Sequence, residues 1–200
     1  HMASRYKRAA VCKALLDSCP ETVTMAGGLG FLPIHNACQF RLLENVKLLL
    51  EVAPDTINAA SAIGGYCPIH CAVDGIGNGS TFQVLEYLLQ MDPTCASKPF
   101  IHDGQSYLPL ELACRNGERT STVRLLFDAY PEAAAFPRTF SSPFLSKQKR
   151  DLSTLSESSF PIHEALYRKA TLGVIKLLLG KFPDQVQVVD EEGRLPLHWA

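Results

Sequence analysis

Apolar positions along the chain fall into two recurring patterns, and the first predicts helices that each stop at a proline. In each copy, apolar side chains lie eight, five and four residues before the proline. This spacing places them on one face of an amphipathic helix. Proline ends the helix because it lacks an amide donor and clashes with the preceding turn. The predicted segments are 11–19, 46–53, 85–92, 123–130 and 175–182.

The second pattern is the element Pro-Ile/Leu-His-x-Ala, which predicts the start of a shorter helix ahead of the amphipathic one. Its prolines are separated by 35, 41, 52 and 35 residues and are Pro33, Pro68, Pro109, Pro161 and Pro196. Proline suits the first helical turn, where its missing N–H would have no partner anyway. The alanine is present in every copy, which lets helices approach closely. In the third copy Glu111 replaces the histidine.

A period of this size is typical of proteins built from stacked repeats. Each unit is predicted to contain a helix, a loop, a second helix and an extended connection rich in glycine. One such unit cannot bury its own apolar face, so neighbouring units must stack on one another. The two patterns together resemble ankyrin repeats, in which Thr-Pro-Leu-His-x-Ala opens the first helix, Val-x-x-Leu-Leu lies in the second, and a hairpin loop projects.

The resemblance extends from Arg5 to Ala200. It implies an all-α fold, an ankyrin-repeat solenoid of stacked helix-turn-helix units with hairpin-like loops. The family's threonine is absent from every element, and its place is taken by Leu32, Cys67, Leu108, Phe160 and Leu195. The hydroxyl cap of the first helix is therefore lost, and such a loss costs about 1 kcal/mol of helix stability.

The repeats predict one array rather than separate domains. Residues 1–4 are interpreted as a cloning remnant and an N-terminal tail. The units are placed at 5–31, 32–66, 67–107, 108–159, 160–194 and, as a partial unit, 195–200. The first unit lacks a readable Pro-Ile/Leu-His helix, and the last unit stops at the start of that helix. We therefore expect a segment of a longer array, or an array with unusual ends.

Composition narrows the classes of partner. A hydrophobic content of 46% can supply a sizeable core. The net charge of −1, from 19 basic and 20 acidic residues, predicts neither a nucleic-acid partner nor an anionic membrane surface. No apolar run approaches the roughly 20 residues of a membrane span. The seven cysteines lack paired metal-ligand spacings. They favour a reducing, cytoplasmic setting, with the nucleus as an alternative.

The residues that could carry chemistry are better explained as structural. The repeated histidines form a column, but stacked helices lie roughly 8–10 Å apart, whereas zinc needs each nitrogen at about 2 Å. A hydrogen bond from each histidine to a neighbouring loop is therefore predicted, as the resemblance also implies. His35 and Cys38 could form a nucleophile pair, but Cys38 occupies an apolar position of the repeat. We expect no enzymatic activity, no metal and no cofactor.

Two insertions interrupt the repeat spacing. The loop 135–159 is open to three interpretations: a solvated mobile loop, a partner-contacting arm anchored by Phe140, Phe144 and Leu145, or a regulatory segment in which a serine follows the basic run 147–150. The shorter insertion 74–81 is rich in glycine and resembles a phosphate loop. It lacks the required lysine and a preceding strand, so a flexible helix–helix turn is predicted instead.

The ankyrin resemblance implies that hairpin tips and first helices form a continuous concave surface for a protein partner. The candidate contact residues on this surface are Asn36, Phe40, Ile63, Phe100, Ile101, His102, Glu111, Arg115, Tyr167 and Arg168. Phe40, Phe100, Tyr167 and Arg168 are favoured among them, because aromatic residues and arginine dominate binding hot spots.

The function predicted from these features is a non-enzymatic protein-interaction module, of the scaffold or adaptor kind. One alternative is a targeting or regulatory ankyrin segment of a larger enzyme or channel. Another is a self-associating array, because a terminal repeat without a polar outer face leaves apolar surface uncovered.

Overall fold

The computed structural model describes residues 9–77, 79–102, 105–135, 160–190 and 192–200. It divides into two compact units, 1–100 and 101–200. In the described residues of the first unit, the helices are α1 (Ala9–Ser18), α2 (Pro33–Gln39), α3 (Leu43–Val52), α4 (Pro68–Val73) and α5 (Thr81–Met91). In those of the second unit they are α6 (Pro109–Arg115), α7 (Thr120–Ala129), α8 (Pro161–Tyr167) and α9 (Leu172–Lys181). Short first helices therefore alternate with longer second helices, and the predicted all-α repeat architecture is confirmed.

The core of the first unit is formed by the apolar positions that the periodicity identifies. The stripe residues Val46, Leu49 and Leu50 of α3 are buried, as are Leu85 and Leu88 of α5. The α2 helix packs against both α3 and α4, while α1 packs against α3. The stacking of one helix pair on the next thus buries faces that a single pair would leave exposed.

The second unit repeats this arrangement. Leu110 of α6 and Ile162 of α8 are buried, as are Leu126 of α7 and Leu178 of α9. The α6 helix packs against α7 and α8, and α8 packs against α9. A hydrogen bond of 2.7 Å joins the hydroxyl groups of Thr120 and Thr171, next to the N-termini of α7 and α9. The two second helices are thereby tied at the same level of the stack.

The connection after each second helix differs from the extended segment expected. Each proline opens a short 3-10 helix, and these proline turns are Pro20–Thr24, Pro54–Asn58, Pro93–Ser97, Pro131–Ala135 and Pro183–Gln187. The second helix ends two residues earlier, as at Val52 before Pro54. Proline is well suited to the first position of this turn because no N–H is required there. The turn also contributes to the core, since Ala96 and Ala134 are buried.

Glycine-containing hairpins follow the proline turns. In the best-formed hairpin, β1 (Phe100–His102) pairs with β2 (Gln105–Tyr107). Gly30, at φ +75°, lies so close to the next hairpin that a Cβ atom there would overlap Ala62. This contact explains the glycine at that turn. The last Pro-Leu-His element forms a short 3-10 helix, Pro196–Trp199. Within the described ranges, every helix is too short or too polar to cross a bilayer.

Candidate protein-binding surface

The repeated histidine is bound at both ring nitrogens. In the first complete repeat, the backbone N–H of Leu32 donates to Nδ1 of His35 at 3.0 Å. Nε2 of the same ring lies 2.9 Å from the carbonyl of Ala59 and 3.0 Å from that of Tyr66. Because a carbonyl only accepts, Nε2 carries the proton and Nδ1 is the acceptor. The ring thus joins the start of a first helix to the following hairpin.

The same arrangement recurs in other repeats. Nε2 of His70 lies 2.9 Å from the carbonyl of Lys98, and Nε2 of His163 lies 3.0 Å from that of Val188. Burial lowers the pKa of all three histidines, and that of His70 falls to about 3. The predicted structural role is confirmed, because both nitrogens are occupied by the backbone. In the described ranges, no cluster of three or more His, Cys, Asp or Glu side chains could hold a metal ion.

These histidines also serve the helix start that lost its threonine. Leu32 provides no side-chain hydrogen bond to its helix. The histidine at the third helical position instead accepts the backbone N–H of the residue before the proline, as His70 does from Cys67 at 3.0 Å. This is one half of a capping box. The histidine supplies the half of the box that holds the N-cap residue, while the half that the threonine hydroxyl would supply stays absent, and the sequence analysis did not foresee this bond.

The buried thiols have no features of a nucleophile. Burial, and then the neighbouring Cys71 and Cys95 thiols, raise the pKa of Cys38 well above its usual value. Since the thiolate is the reactive form, Cys38 is inert at neutral pH. All seven cysteines are free. Cys38 is thus part of the core between helices, as its place in the apolar pattern predicts.

In the first unit, the structure separates one predicted contact residue from the rest. Asn36 on α2 and Phe40 directly after it are half-buried, and Ile63 is exposed at the tip of a hairpin. Phe100 is only 3% exposed. Its ring lies 4.4 Å from that of Tyr66 and 4.8 Å from that of His70, centroid to centroid. Phe100 is therefore a core residue linking successive hairpins, and we remove it from the contact surface.

The glycine-rich insertion 74–81 is packed against the preceding repeat. A Cβ atom at Gly75, Gly77 or Gly79 would overlap backbone atoms of the segment 39–41. The alternation of glycines at every second position therefore has a steric cause. The amides of Ile76 and Gly77 also donate to the carbonyl of Gln39, at 3.0 and 3.4 Å. The expected flexible turn is thus a segment held by its neighbour.

This packing fixes an apolar side chain at the surface. Ile76 lies between two of the tightly packed glycines, and its side chain is 73% exposed. The guanidinium of Arg41 donates to the carbonyl of Gly77 at 3.4 Å, which adds a second attachment beside it. The sequence analysis did not select Ile76. The signal that could have found it is the alternation of glycine with a single large apolar residue.

The predicted contact residues at the beginning of the second unit differ in their exposure to solvent. Ile101 and His102 on β1 are exposed. Arg115, at the end of α6, is half-buried, and its guanidinium carbon lies 5.2 Å from the ring centroid of Tyr107. Glu111 is only 4% exposed. Glu111 occupies the position that histidine takes in the other first helices, and that position points into the stack. Glu111 therefore does not belong to the contact surface.

Tyr167 and Arg168, at the end of α8, form part of an exposed aromatic and cationic group. The ring of Tyr167 lies edge-on to that of Trp199, with a centroid separation of 5.0 Å. The guanidinium carbon of Arg168 lies 5.2 Å from the Tyr167 ring centroid. Nε of Arg168 also forms an ion pair of 3.1 Å with Glu164. Both predicted residues are therefore held in fixed positions by their neighbours.

The carboxylate of Asp190 organises the other side of this group. It accepts hydrogen bonds from Nε1 of Trp199 and from the backbone and side chain of Arg194, at 2.9 to 3.0 Å. The guanidinium carbon of Arg194 lies 3.9 Å from the Trp199 ring centroid. Burial acts to raise the pKa of Asp190, but these hydrogen bonds outweigh it and hold the pKa at about 2. The carboxylate is therefore ionised at neutral pH.

We call this set the Trp199 cluster, and it consists of Tyr167, Arg168, Asp190, Arg194 and Trp199. Sequence reasoning found only the first two members. The available signal was an aspartate and an arginine four residues apart in a glycine-containing hairpin, followed by the single tryptophan of the chain. The predicted loop contacts Phe140, Phe144 and Leu145 lie outside the described residues.

Comparison with known proteins gives matches of structure only. No model of a protein family matches the sequence. No curated protein matches it either. A solved structure of the human ASB11 ankyrin repeat domain superposes with a TM-score of 0.69 and 21% identity, covering 99% of this chain and 74% of that one.

A second solved structure holds the predatory endopeptidase Bd0816 from Bdellovibrio bacteriovorus in complex with the immunity protein Bd3460. A chain of that structure superposes with a TM-score of 0.74 and 17% identity. The match covers 99% of this chain and 88% of that one. At these identities, the likeness shows the fold. Taken with the paired helices and the histidine bridges, it establishes that this chain has the ankyrin-repeat fold.

Proposed function

We propose that this protein is a non-enzymatic protein-interaction module of the scaffold or adaptor kind. The proposal is based on the Trp199 cluster, which presents Tyr167 and Arg168 on the surface of the second unit. Tyrosine, tryptophan and arginine are the residues most enriched in binding hot spots. The surrounding hydrogen bonds hold them in place before a partner arrives, which lowers the entropic cost of binding.

Charge indicates the kind of partner that suits this surface. The two arginines of the cluster are matched by the carboxylates of Glu164, Asp190 and Glu192. A surface that is locally neutralised in this way favours a protein segment with aromatic or aliphatic anchors over a polyanion. The ankyrin-repeat fold supports the same proposal, since one similar solved structure contains a protein complex.

The environment proposed for this module is a reducing, intracellular one. The cysteines are free and most of them are buried in apolar surroundings. Burial raises the pKa values of these thiols, as it does for Cys95, to about 12. Such thiols act as small apolar side chains, and no disulfide framework is needed for the stack.

The test is quantitative affinity capture with the immobilised chain and matched variants. Tyr167→Ala and Arg168→Ala each remove a side chain of the Trp199 cluster, while Tyr87→Ala removes a half-buried tyrosine from α5 in the other unit. We expect the two cluster variants to weaken capture of a specific protein by about tenfold or more, and Tyr87→Ala to leave it unchanged. Equal capture by all three variants would show that the proposed surface is wrong.

A further inference from the structure

The turn between α8 and α9 carries an exposed threonine that follows two cations. Arg168 and Lys169 lie three and two residues before Thr171, and all three residues are exposed. The sequence from 165 to 176 contains neither aspartate nor glutamate. Protein kinases that select basic sequences recognise an arginine three residues before the hydroxyl through acidic side chains of their own, and nearby acidic residues in the substrate would oppose this. The turn therefore has the charge pattern of a substrate for such a kinase.

The backbone of this turn has a defined shape. The φ angle of Lys169 is +55°, and that of Gly117, the residue at the same distance from the proline of its own repeat, is +66°. Residues with a Cβ atom rarely adopt this left-handed conformation. The N–H of Ala170 donates to the carbonyl of Ala165 at 2.8 Å, which closes the turn. A lysine therefore stands where the backbone favours glycine, and the turn displays its side chain at the surface.

The hydroxyl group of Thr171 is at the surface and does not cap its own helix. Thr171 is the residue before α9, but its side chain accepts no hydrogen bond from the first turn of that helix. Its hydroxyl instead lies 2.7 Å from that of Thr120, in an exposed pair. Because a hydroxyl has one donor hydrogen and two lone pairs, this single bond leaves the oxygen of Thr171 with an open lone pair.

The exposure of this position is a property of the repeat. Arg119 lies ten residues after Pro109, as Thr171 lies ten residues after Pro161. Both residues have a φ of −63° and a ψ of 151°. The helix that follows Arg119, α7, is packed against α9 of the next repeat, and Arg119 is nevertheless exposed. A residue at this place is therefore accessible even where another repeat stacks on its helix.

A second threonine has the same spacing from an arginine but is inaccessible. Thr122 lies three residues after Arg119, and it is only 2% exposed within α7. A kinase can reach this hydroxyl only when the chain is unfolded. The fold thus separates two threonines that the spacing alone treats as equal, and Thr122 serves as an internal control for Thr171.

We infer that Thr171 is a phosphorylation site for a serine/threonine protein kinase that selects basic sequences and acts on the folded chain. The co-substrate is Mg·ATP. The Thr171 oxygen forms a bond to the γ-phosphorus, the bond from that phosphorus to the β–γ bridging oxygen breaks, and ADP leaves. The hydroxyl proton passes to a carboxylate base of the kinase.

Arg168 can turn to the kinase at little cost. Its Nε forms an ion pair of 3.1 Å with Glu164, and the arginine side chain in that pair is 44% exposed. Ion pairs at the surface contribute little to stability, because both charges are well solvated without each other. An acidic side chain of the kinase therefore replaces Glu164 as the partner of the guanidinium.

The phosphorylated side chain would lie in favourable surroundings. The first amides of α9 have no partner within the helix, and the helix dipole attracts negative charge at this end. Arg119 directly precedes Thr120, whose hydroxyl touches that of Thr171. A phosphate group on Thr171 therefore has both amide donors and a cation beside it.

The inference does not depend on the proposed function and is tested by phosphorylation of the folded chain. The probe is the catalytic subunit of cyclic-AMP-dependent protein kinase with Mg·ATP. Mass spectrometry of peptides locates the phosphate and separates Thr171 from the serines of 135–159. Thr171→Val removes the hydroxyl at nearly constant shape, and Arg168→Ala removes the recognised cation. Arg119→Ala is the matched control, because it removes an exposed arginine near the hydroxyl in space but outside its sequence. Circular dichroism of each variant checks that the helices are retained.

We expect phosphate on Thr171 in the wild type and in Arg119→Ala at equal initial rates. The corresponding peptide of Thr171→Val should carry none. Arg168→Ala should lower kcat/KM for this site by about tenfold or more, as the loss of a charged hydrogen-bonded pair would. Thr122 should remain unmodified in every sample.

Three results would overturn the inference. Absence of phosphate from Thr171 in the wild type would mean that the turn is not a kinase substrate in the folded chain. Comparable phosphate on Thr122 would mean that the kinase reads the unfolded sequence rather than the surface. An unchanged kcat/KM for Arg168→Ala would mean that the basic residues before Thr171 do not select it.

Discussion

His70 accepts the backbone N–H of Cys67 at Nδ1, at a distance of 3.0 Å. The bond fixes the neutral tautomer, so that Nε2 carries the proton and donates to the carbonyl of Lys98. One buried ring therefore satisfies two backbone groups that are 31 residues apart in the chain. The ring thereby joins the start of α4 to the segment that follows the next proline turn.

Removing this ring should destabilise the first unit. His70→Ala leaves the N–H of Cys67 and the carbonyl of Lys98 without their partner and opens a cavity in a fully buried site. We expect a loss of about 2–4 kcal/mol in the free energy of unfolding, measured in urea. His198→Ala is the matched control, since that ring is exposed. It should change the free energy of unfolding by less than about 0.5 kcal/mol.

Stability should decline as the pH falls from 7.5 to 5. The pKa of His70 is lowered to about 3 by burial, and burial also lowers the pKa values of His35 and His163. Below the ordinary histidine value of about 6.5, the unfolded chain binds protons that the native chain does not. Stability is therefore complete above that value and is lost progressively as the pH falls towards 3.

The size of this loss of stability follows from the lowered pKa of His70. At pH 5, His70 alone should reduce the free energy of unfolding by about 2 kcal/mol. Urea unfolding at pH 7.5, 6 and 5 measures the decline, and His70→Gln should make it shallower because one titrating ring is removed. A free energy of unfolding that is constant over this range would contradict the buried, neutral state of these rings.

Two glycine-to-alanine changes should act in opposite directions. At Gly77, a Cβ atom would overlap the carbonyl of Phe40, so the insertion must move away from the preceding repeat. We expect Gly77→Ala to cost about 1–3 kcal/mol. At Gly180, inside α9, a Cβ atom meets open space. Gly180→Ala should therefore stabilise the chain by about 0.5–1 kcal/mol. Thermal unfolding of both variants checks the pair, and equal effects would refute the packed insertion.

The fluorescence emission of Trp199, the single tryptophan of the chain, reports whether Asp190 holds the indole in place. Asp190→Asn replaces a carboxylate oxygen that accepts from Trp199 and Arg194 with an amide group that donates. The indole should then be released towards water, which shifts its fluorescence emission to longer wavelength at pH 7.5. Glu192→Gln, which alters only an exposed partner of Arg194, should leave the emission unchanged. An unshifted spectrum for Asp190→Asn would show that Asp190 does not hold the indole.

The sequence predicted those features that depend on neighbours along the chain. The i, i+3, i+4 stripes of residues such as Val46, Leu49 and Leu50 identified the second helices, and the Pro-Ile/Leu-His element identified the first. Helix periodicity is a local property, so a single repeat contains the whole signal. The role of the histidines also followed, because geometry excluded a shared metal ion.

The features that were missed depend on contacts between repeats. Phe100 looks like an exposed hairpin residue in sequence, but it is buried by Tyr66 and His70, which lie 30 or more residues earlier. The glycines of 74–81 suggested flexibility, while the structure uses them for close packing on 39–41. The Trp199 cluster joins α8 to the hairpin after α9, and no local pattern records that proximity.

Amide hydrogen exchange of the chain, alone and with its captured protein partner, locates the face of the second unit that the partner covers. If the partner binds the face that carries the Trp199 cluster, exchange should slow at 167–170 and at 192–199, whereas the outer faces of α7 and α9 should be unaffected. Protection confined to α7 and α9, with 167–170 and 192–199 exchanging as in the free chain, would contradict it.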